Sequence, residues 1–171
     1  AVFSAAAEGV LPGLSYYMDF SYLKKIDTHI VAWLRTEEGV LDRAVFQGKD
    51  NEYYTKHAVM GTSHSKGEIY LDCDSQRDFS ENVWYLYGCT AKDAPLNILS
   101  GISDRENFVD FPAMVLMTPD QNYKVEVFAA YPTNVSDKDS WRIDETSEKS
   151  FAADLTNICG LSTVEVREEL L

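Results

Sequence analysis

The sequence predicts a mostly β domain, a small and mainly antiparallel barrel or sandwich with helices at its periphery. Three observations lead there. Apolar residues recur in short runs, several with a period of two, separated by polar turns. Helical periodicity is confined mainly to two stretches, Leu14 to Ile26 and Phe151 to Cys159. The 171 residues with 45% apolar and 12% aromatic side chains suffice to fill one core, so a single domain spanning 1–171 is expected.

In chain order, Leu14, Tyr17, Met18, Tyr22 and Ile26 fall near one stripe of a 3.6-residue period, which predicts an amphipathic helix over Gly13 to Ile26. Ile30 to Leu34 and Val40 to Phe46 read as strands around the turn Thr36-Glu37-Glu38-Gly39. Asp50 can cap a short helical turn through Tyr53 and Tyr54, and Gly61 to Gly67 is a Ser, Thr and Gly loop. Glu68 to Asp72 and Val83 to Tyr87 are the next strands. Pro95 suits the first turn of a short helix ending before Gly101, and Ser103 with Glu106 makes a capping-box pattern for another. Ala113 to Thr118 and Tyr123 to Tyr131 flank Pro119-Asp120-Gln121-Asn122 as a hairpin, the second arm alternating residue by residue. Phe151, Leu155, Ile158 and Cys159 share a helical stripe with Gly160 placed to end it, and Thr163 to Val166 is extended.

Composition removes several function classes. Fifteen Lys plus Arg against 28 Asp plus Glu leave −13, so nucleic acid and an anionic lipid surface are expected to be repelled. The longest nearly apolar run, Phe111 to Met117, is far short of the roughly 20 residues of a membrane helix. No membrane span is expected, and residues Ala1 to Gly9 do not form an intact export signal. Cys73, Cys89 and Cys159 are an odd number without zinc spacing, and His29, His57 and His64 stand at no metal-binding interval, so neither metal nor cofactor is expected. A Cys73–Cys89 pairing stays open.

Val45-Phe46-Gln47-Gly48-Lys49-Asp50-Asn51-Glu52-Tyr53-Tyr54 with His57 resembles the "VxQGxDNxYYxxH" pattern of the class B sortases of Gram-positive bacteria. Gly67 to Asp72 is similar to that family's "GxIFLD" strand, and Asn82 to Gly88 to its "NxxxYGH" strand. The likeness covers about Tyr22 to Leu171. It implies a closed sortase-type barrel from residue 27 onward, preceded by an N-terminal segment and helix over 1–26. For active members it also implies a cysteine transpeptidase that joins proteins to the cell wall. Such an enzyme uses a thiolate nucleophile, a histidine that moves amine protons and an arginine that stabilises the oxyanion.

Here the histidine position carries Cys89, whose thiol cannot become a proton-donating cation. The family's "TLSTC" cysteine strand and the arginine strand are not found before Leu171, so the chain is expected to be inactive as it stands. An alternative matching sets Leu155 to Cys159 on the cysteine motif and Arg167 on the arginine, although the helical stripe opposes it. The resemblance places Leu71, Asp72, Asn82, Tyr87 and Gly88 along the substrate groove, with Cys89 as candidate catalytic residue. It implies a sorting-signal peptide or cell-surface protein as partner and a location outside the cytoplasm through a removed anchor. Open barrel edges would permit oligomers. Three other readings stand beside it: an active sortase whose cysteine and arginine strands follow Leu171, a binding module on the same fold, and a thiol enzyme pairing Cys89 with His57.

Overall fold

A computed structural model describes residues 16–104, 108, 110–134, 136 and 141–167. Six strands form one sheet in the order β4-β3-β2-β1-β5-β6, where β1 is Ile30–Thr36, β2 Asp42–Phe46, β3 Ile69–Leu71, β4 Leu86–Tyr87, β5 Met114–Met117 and β6 Asn122–Val125. Every pairing is antiparallel except β2 with β3, where Val45 and Phe46 align with Ile69 and Tyr70. The expected mostly β, mainly antiparallel architecture is therefore present, as a curled sheet.

Period-two patterning decides which side chains go where. Leu34, Val45, Ile69, Leu71, Leu86, Met114, Leu116, Tyr123 and Val125 fill the main core on the concave side. Ile30, Phe46 and Tyr70, with Val115 and Met117, point to the convex side. Helix α1 (Phe20–Ile26) covers part of that side by burying Phe20 and packing Leu23 against both convex clusters. Burying Phe20 alone is worth about 1.5–3 kcal/mol. The Asp19 carboxylate accepts from the Tyr22 N–H at 2.9 Å to start the helix, and Lys24 and Lys25 lie in its last turn, where the helix dipole favours cations. At the far side of the core, Trp84 meets Tyr123 edge-on at 4.7 Å, drawing the two ends of the sheet towards each other. No ladder joins β4 to β6 among the described residues, so the closed barrel is only partly formed here.

Several expected elements are shorter than their patterns. The first helix starts at Phe20, with residues 16–19 irregular and 13–15 outside the described residues. Val40 leaves the second strand for solvent because the Thr36 N–H donates to the Leu41 carbonyl and Gly39 takes a φ of 74°, closing a turn over 36–41. The expected strand over Val83 to Tyr87 shrinks to Leu86–Tyr87. Its partner curls away after Asp72, where the Ser75 N–H donates to the Asp72 carbonyl, so the β3–β4 ladder does not continue to residues 83 and 84. The second hairpin arm stops at Val125. Beyond it Val127 and Phe128 are both buried, in different clusters, and the carbonyls of Phe128 and Ala130 accept from the backbones of Arg167 and Thr163.

The helix after Pro95 is a single 3-10 turn, Asn97–Leu99, and the Ser103–Glu106 capping pattern lies partly outside the described residues. Helix α2 (Glu148–Leu161) is capped by the Ser147 hydroxyl and packs Phe151, Leu155 and Ile158 on Val83 and Phe128. Gly160 does not end it. Its φ is not positive, the helix passes through to Leu161, and the Ser162 N–H closes the end on Cys159. Residues 163–167 run beside 128–130 without forming a strand.

Candidate functional site

The β3–β4 pair ends in two turns that bring the sequence-selected residues together. Gln47, from the motif after β2, donates from its side-chain amide to the carbonyls of Asp72 and Ser75, both at 2.8 Å. Asn51 accepts from the Cys73 N–H at 2.9 Å. The 72–75 turn is thus clamped by two side chains that lie more than twenty residues earlier. Asp72 is buried to 1% exposure, and its carboxylate accepts from the Tyr87 hydroxyl at 2.7 Å, the Arg142 guanidinium at 2.7 Å and the Asp74 N–H at 3.0 Å. Burial pushes that carboxyl up, but the Tyr87, Asp74 and Asn51 hydrogen bonds and the Arg142 charge outweigh it and hold Asp72 below the usual carboxylate range. Burial first, then the hydrogen bond and charge of Asp72, drive the Tyr87 phenol well above its ordinary value.

Residues 141–143 form a strap over this carboxylate. The Arg142 guanidinium lies over the Tyr85 ring at 5.0 Å and the Trp141 ring at 5.5 Å, while the Ile143 N–H donates to the Tyr85 hydroxyl at 2.8 Å. Trp141 stands edge-on to Tyr85 and Tyr87 at 5.6 and 6.2 Å. Nothing in the sequence around Arg142 advertised this role. Its partner is 70 positions away.

Past β4, Gly88 and Cys89 make the strand end. A Cβ on Gly88 would sit 2.7 Å from Leu96 Cδ1, so glycine lets Leu96 close over the backbone, and the Leu96 N–H donates to the Cys89 carbonyl at 3.0 Å. Cys89 is partly buried. Of the groove residues selected from sequence, Asp72, Tyr87 and Gly88 gather at this end, Leu71 is fully buried in the core, and Asn82 is exposed on the connecting loop. Cys73 and Cys89 are not disulfide partners. Extending the register of Tyr70 with Tyr87 puts them at opposite ends of the pair, on the order of 15 Å apart against the 7 Å limit.

The Cys89–His57 thiol-enzyme reading finds no support in geometry. The His57 ring stacks on Tyr53 at 4.1 Å, its Nδ1 bonds the Tyr53 carbonyl at 2.8 Å, and a bridge to Ser63 closes the same loop. Cys159 lies in α2 beside the cluster of Val83, Phe128 and Ile158, and Arg167 reaches the Phe108 carbonyl at 3.1 Å. The alternative matching therefore loses its strand. Asp72, Cys73 and Asp74 bring possible metal-ligating atoms within 4.8 Å of one another. Asp72 is already committed to Tyr87, Arg142 and the Asp74 N–H, and burial with the two neighbouring carboxylates pushes the Cys73 thiol up. A cleft of about 330 Å³ between residues 16–20 and the β5–β6 hairpin contains none of these residues.

Comparison with known proteins agrees with this arrangement. No family model matches the chain. Sortase B of Listeria monocytogenes is 30% identical over 112 residues, which is 65% of this chain and 46% of that protein. The solved structures have the same fold. Clostridium perfringens sortase B superposes with a TM-score of 0.77 at 20% identity, covering 90% of this chain and 84% of that one. The Staphylococcus aureus sortase B–substrate complex gives 0.75 at 24% identity, covering 86% and 68%. The chain has the fold of the class B sortases. It spans less than half the length of its Listeria relative, and its fold is a curled sheet with α1 and α2 on its outside. No helix among its described residues is long and apolar enough to cross a membrane.

Proposed function

We propose that this chain is the peptide-recognising part of a sortase-type protein of the bacterial cell surface, with a strand end that does not support transpeptidation while position 89 is cysteine. The observation that carries the reading is the Tyr87-Gly88-Cys89 end, held by the Asp72 network where the family resemblance calls for histidine. A thiol in that place cannot protonate the leaving amine, and positioned acid–base groups contribute roughly 10²–10⁴-fold. Peptide recognition is supported by two buried N–H donors next to Tyr87, Trp141 Nε1 and Arg142 Nε, which lack hydrogen-bond partners. A peptide main chain offers carbonyl acceptors to such groups. The same reading places the protein outside the cytoplasm, attached through a segment not described here, and leaves the sheet ends β4 and β6 open to a second copy.

The test is a titration of extended peptides against the chain, followed by intrinsic fluorescence and by chromatography of the peptide. Saturable binding that weakens in Arg142→Ala, with the peptide left intact, is expected. Cleavage by the unaltered chain would overturn the inactive reading. Absence of any peptide binding would overturn the recognition reading. In a chain extended with a family-like cysteine strand and arginine strand, Cys89→His should raise cleavage by the factor above, and equal rates would assign the proton to another donor.

A further inference from the structure

Tyr85 touches each residue of the 141–143 strap in a different way. Its ring meets the Trp141 ring edge-on at 5.6 Å, its face carries the Arg142 guanidinium at 5.0 Å, and its hydroxyl accepts from the Ile143 N–H at 2.8 Å. Its own backbone is fixed from the other side, because the Tyr85 carbonyl accepts from the Asp72 N–H at 2.9 Å. Tyr85 is thus tied through its main chain to the residue that holds Arg142 by charge. Its side chain reaches the two neighbours of Arg142 as well as Arg142 itself.

The ion pair by itself does not set the direction of the guanidinium. A contact of 2.7 Å between Arg142 Nη2 and Asp72 Oδ2 holds one corner of a planar group, which can still turn about that corner. Two rings remove the freedom. Tyr85 and Trp141 stand at 75° to one another, and the guanidinium lies 5.0 and 5.5 Å from their ring centres, in the corner between them. Because Nε belongs to the guanidinium plane, that corner also aims Nε. The Ile143 bond acts one step further out, on the backbone that carries both Trp141 and Arg142. Trp141 Nε1 and Arg142 Nε are the buried donors without partners at this end, so their directions decide what an incoming acceptor meets.

We propose that Tyr85 is a positioning residue of this site: through its hydroxyl and its ring face it orients the strap, and so aims the Trp141 and Arg142 N–H groups at the carbonyls of a bound peptide. The inference rests on the peptide-recognition reading above. Tyr85→Phe removes the hydroxyl and keeps the ring, so ring currents hardly change and movement of neighbouring N–H signals reports reorientation. In nitrogen-15 spectra of the whole chain without peptide, Tyr85→Phe should shift the Arg142 Nε–H and Trp141 Nε1–H signals and speed exchange of the Ile143 N–H about three- to tenfold. Affinity for the tightest-binding capped, uncharged peptide of the titration above should fall by about the same factor. Tyr85→Leu, which also removes the ring face, should lose roughly tenfold more. Phe20→Leu, which disturbs packing under α1, should leave both signals and the affinity as they are. Both signals in place in Tyr85→Phe overturn the proposal, even if the urea midpoint falls, since a merely structural role does that much. Shifted signals with native affinity in both Tyr85 variants overturn it too. Absence of any peptide binding by the native chain removes the recognition reading and the peptide half of this one with it. The two failures are told apart because the signals are read without peptide.

Discussion

The two ends of the sheet are built on opposite plans. At the β5–β6 end, four consecutive residue pairs form a regular ladder, Met114 with Val125 through Met117 with Asn122, and burial alternates along β6. At the β3–β4 end only two pairs form, and the backbone is held by side chains: Gln47, Asn51, Asp72, Tyr87 and Arg142. A ladder is cheap to specify and tolerant of exposed substitutions. A side-chain lattice fixes irregular turns, which is what a recognition site needs, but each member is hard to replace.

Removing the centre of that lattice should break the contrast most. Asp72→Ala strands Arg142 and Tyr87 and is expected to cost about 3 kcal/mol in urea unfolding, somewhat below the value for a fully buried pair because Arg142 is partly exposed. Lys124→Ala, which loses only the exposed Glu126 pair on β6, should cost under ~0.5 kcal/mol. Equal effects would erase the distinction. Gly88→Ala comes next, at about 1–2 kcal/mol, since Leu96 must move from above the strand end. A chemical-shift change at Leu96 in that variant would locate the strain.

A smaller effect sharpens the comparison through pH. Asp72 has its carboxyl lowered in the folded state, so its contribution is complete above the unfolded carboxylate range near 4 and is lost as pH falls through its folded value. Unfolding curves measured downward from pH 5 should therefore fall more steeply for the native chain than for Asp72→Asn. Parallel curves would show that the lattice does not depend on the Asp72 charge. The smallest change is a gain. Gly160→Ala, at a helical position with open space around its Cβ, should raise stability by about 0.5–1 kcal/mol.

The ladder end was legible in the sequence and the lattice end was not. Alternation from Tyr123 to Val125 and the polar turn before it suffice to place β5 and β6, because strand pairing there depends only on period and turn chemistry. The motif from Gln47 to Tyr54 located the site without revealing what Gln47 does, since its acceptors are 25 and 28 residues away. Arg142 lay further still, with no local pattern to mark it. The strand ends were misplaced for a related reason: Val83 to Tyr85 and Glu126 to Tyr131 keep the composition of strands, but their backbone partners turn away or come from residues 163–167. Gly160 misled because a glycine near a helix end carries meaning only if its φ is positive.

Strand β1 lies in the middle of the sheet, yet its two neighbours reach it at very different times. Trp33 pairs with Ala44 on one side and Met117 on the other. During synthesis at roughly 5–20 residues per second, β2 is available within a second or two of β1, whereas β5 emerges only about 4–16 s later. For that interval the segment Ile30-Val31-Ala32-Trp33-Leu34 has one bare edge, and its composition is that of an aggregation-prone strand. The order of strands in this sheet therefore makes the nascent chain, before residues 114–117 appear, the form most in need of a chaperone.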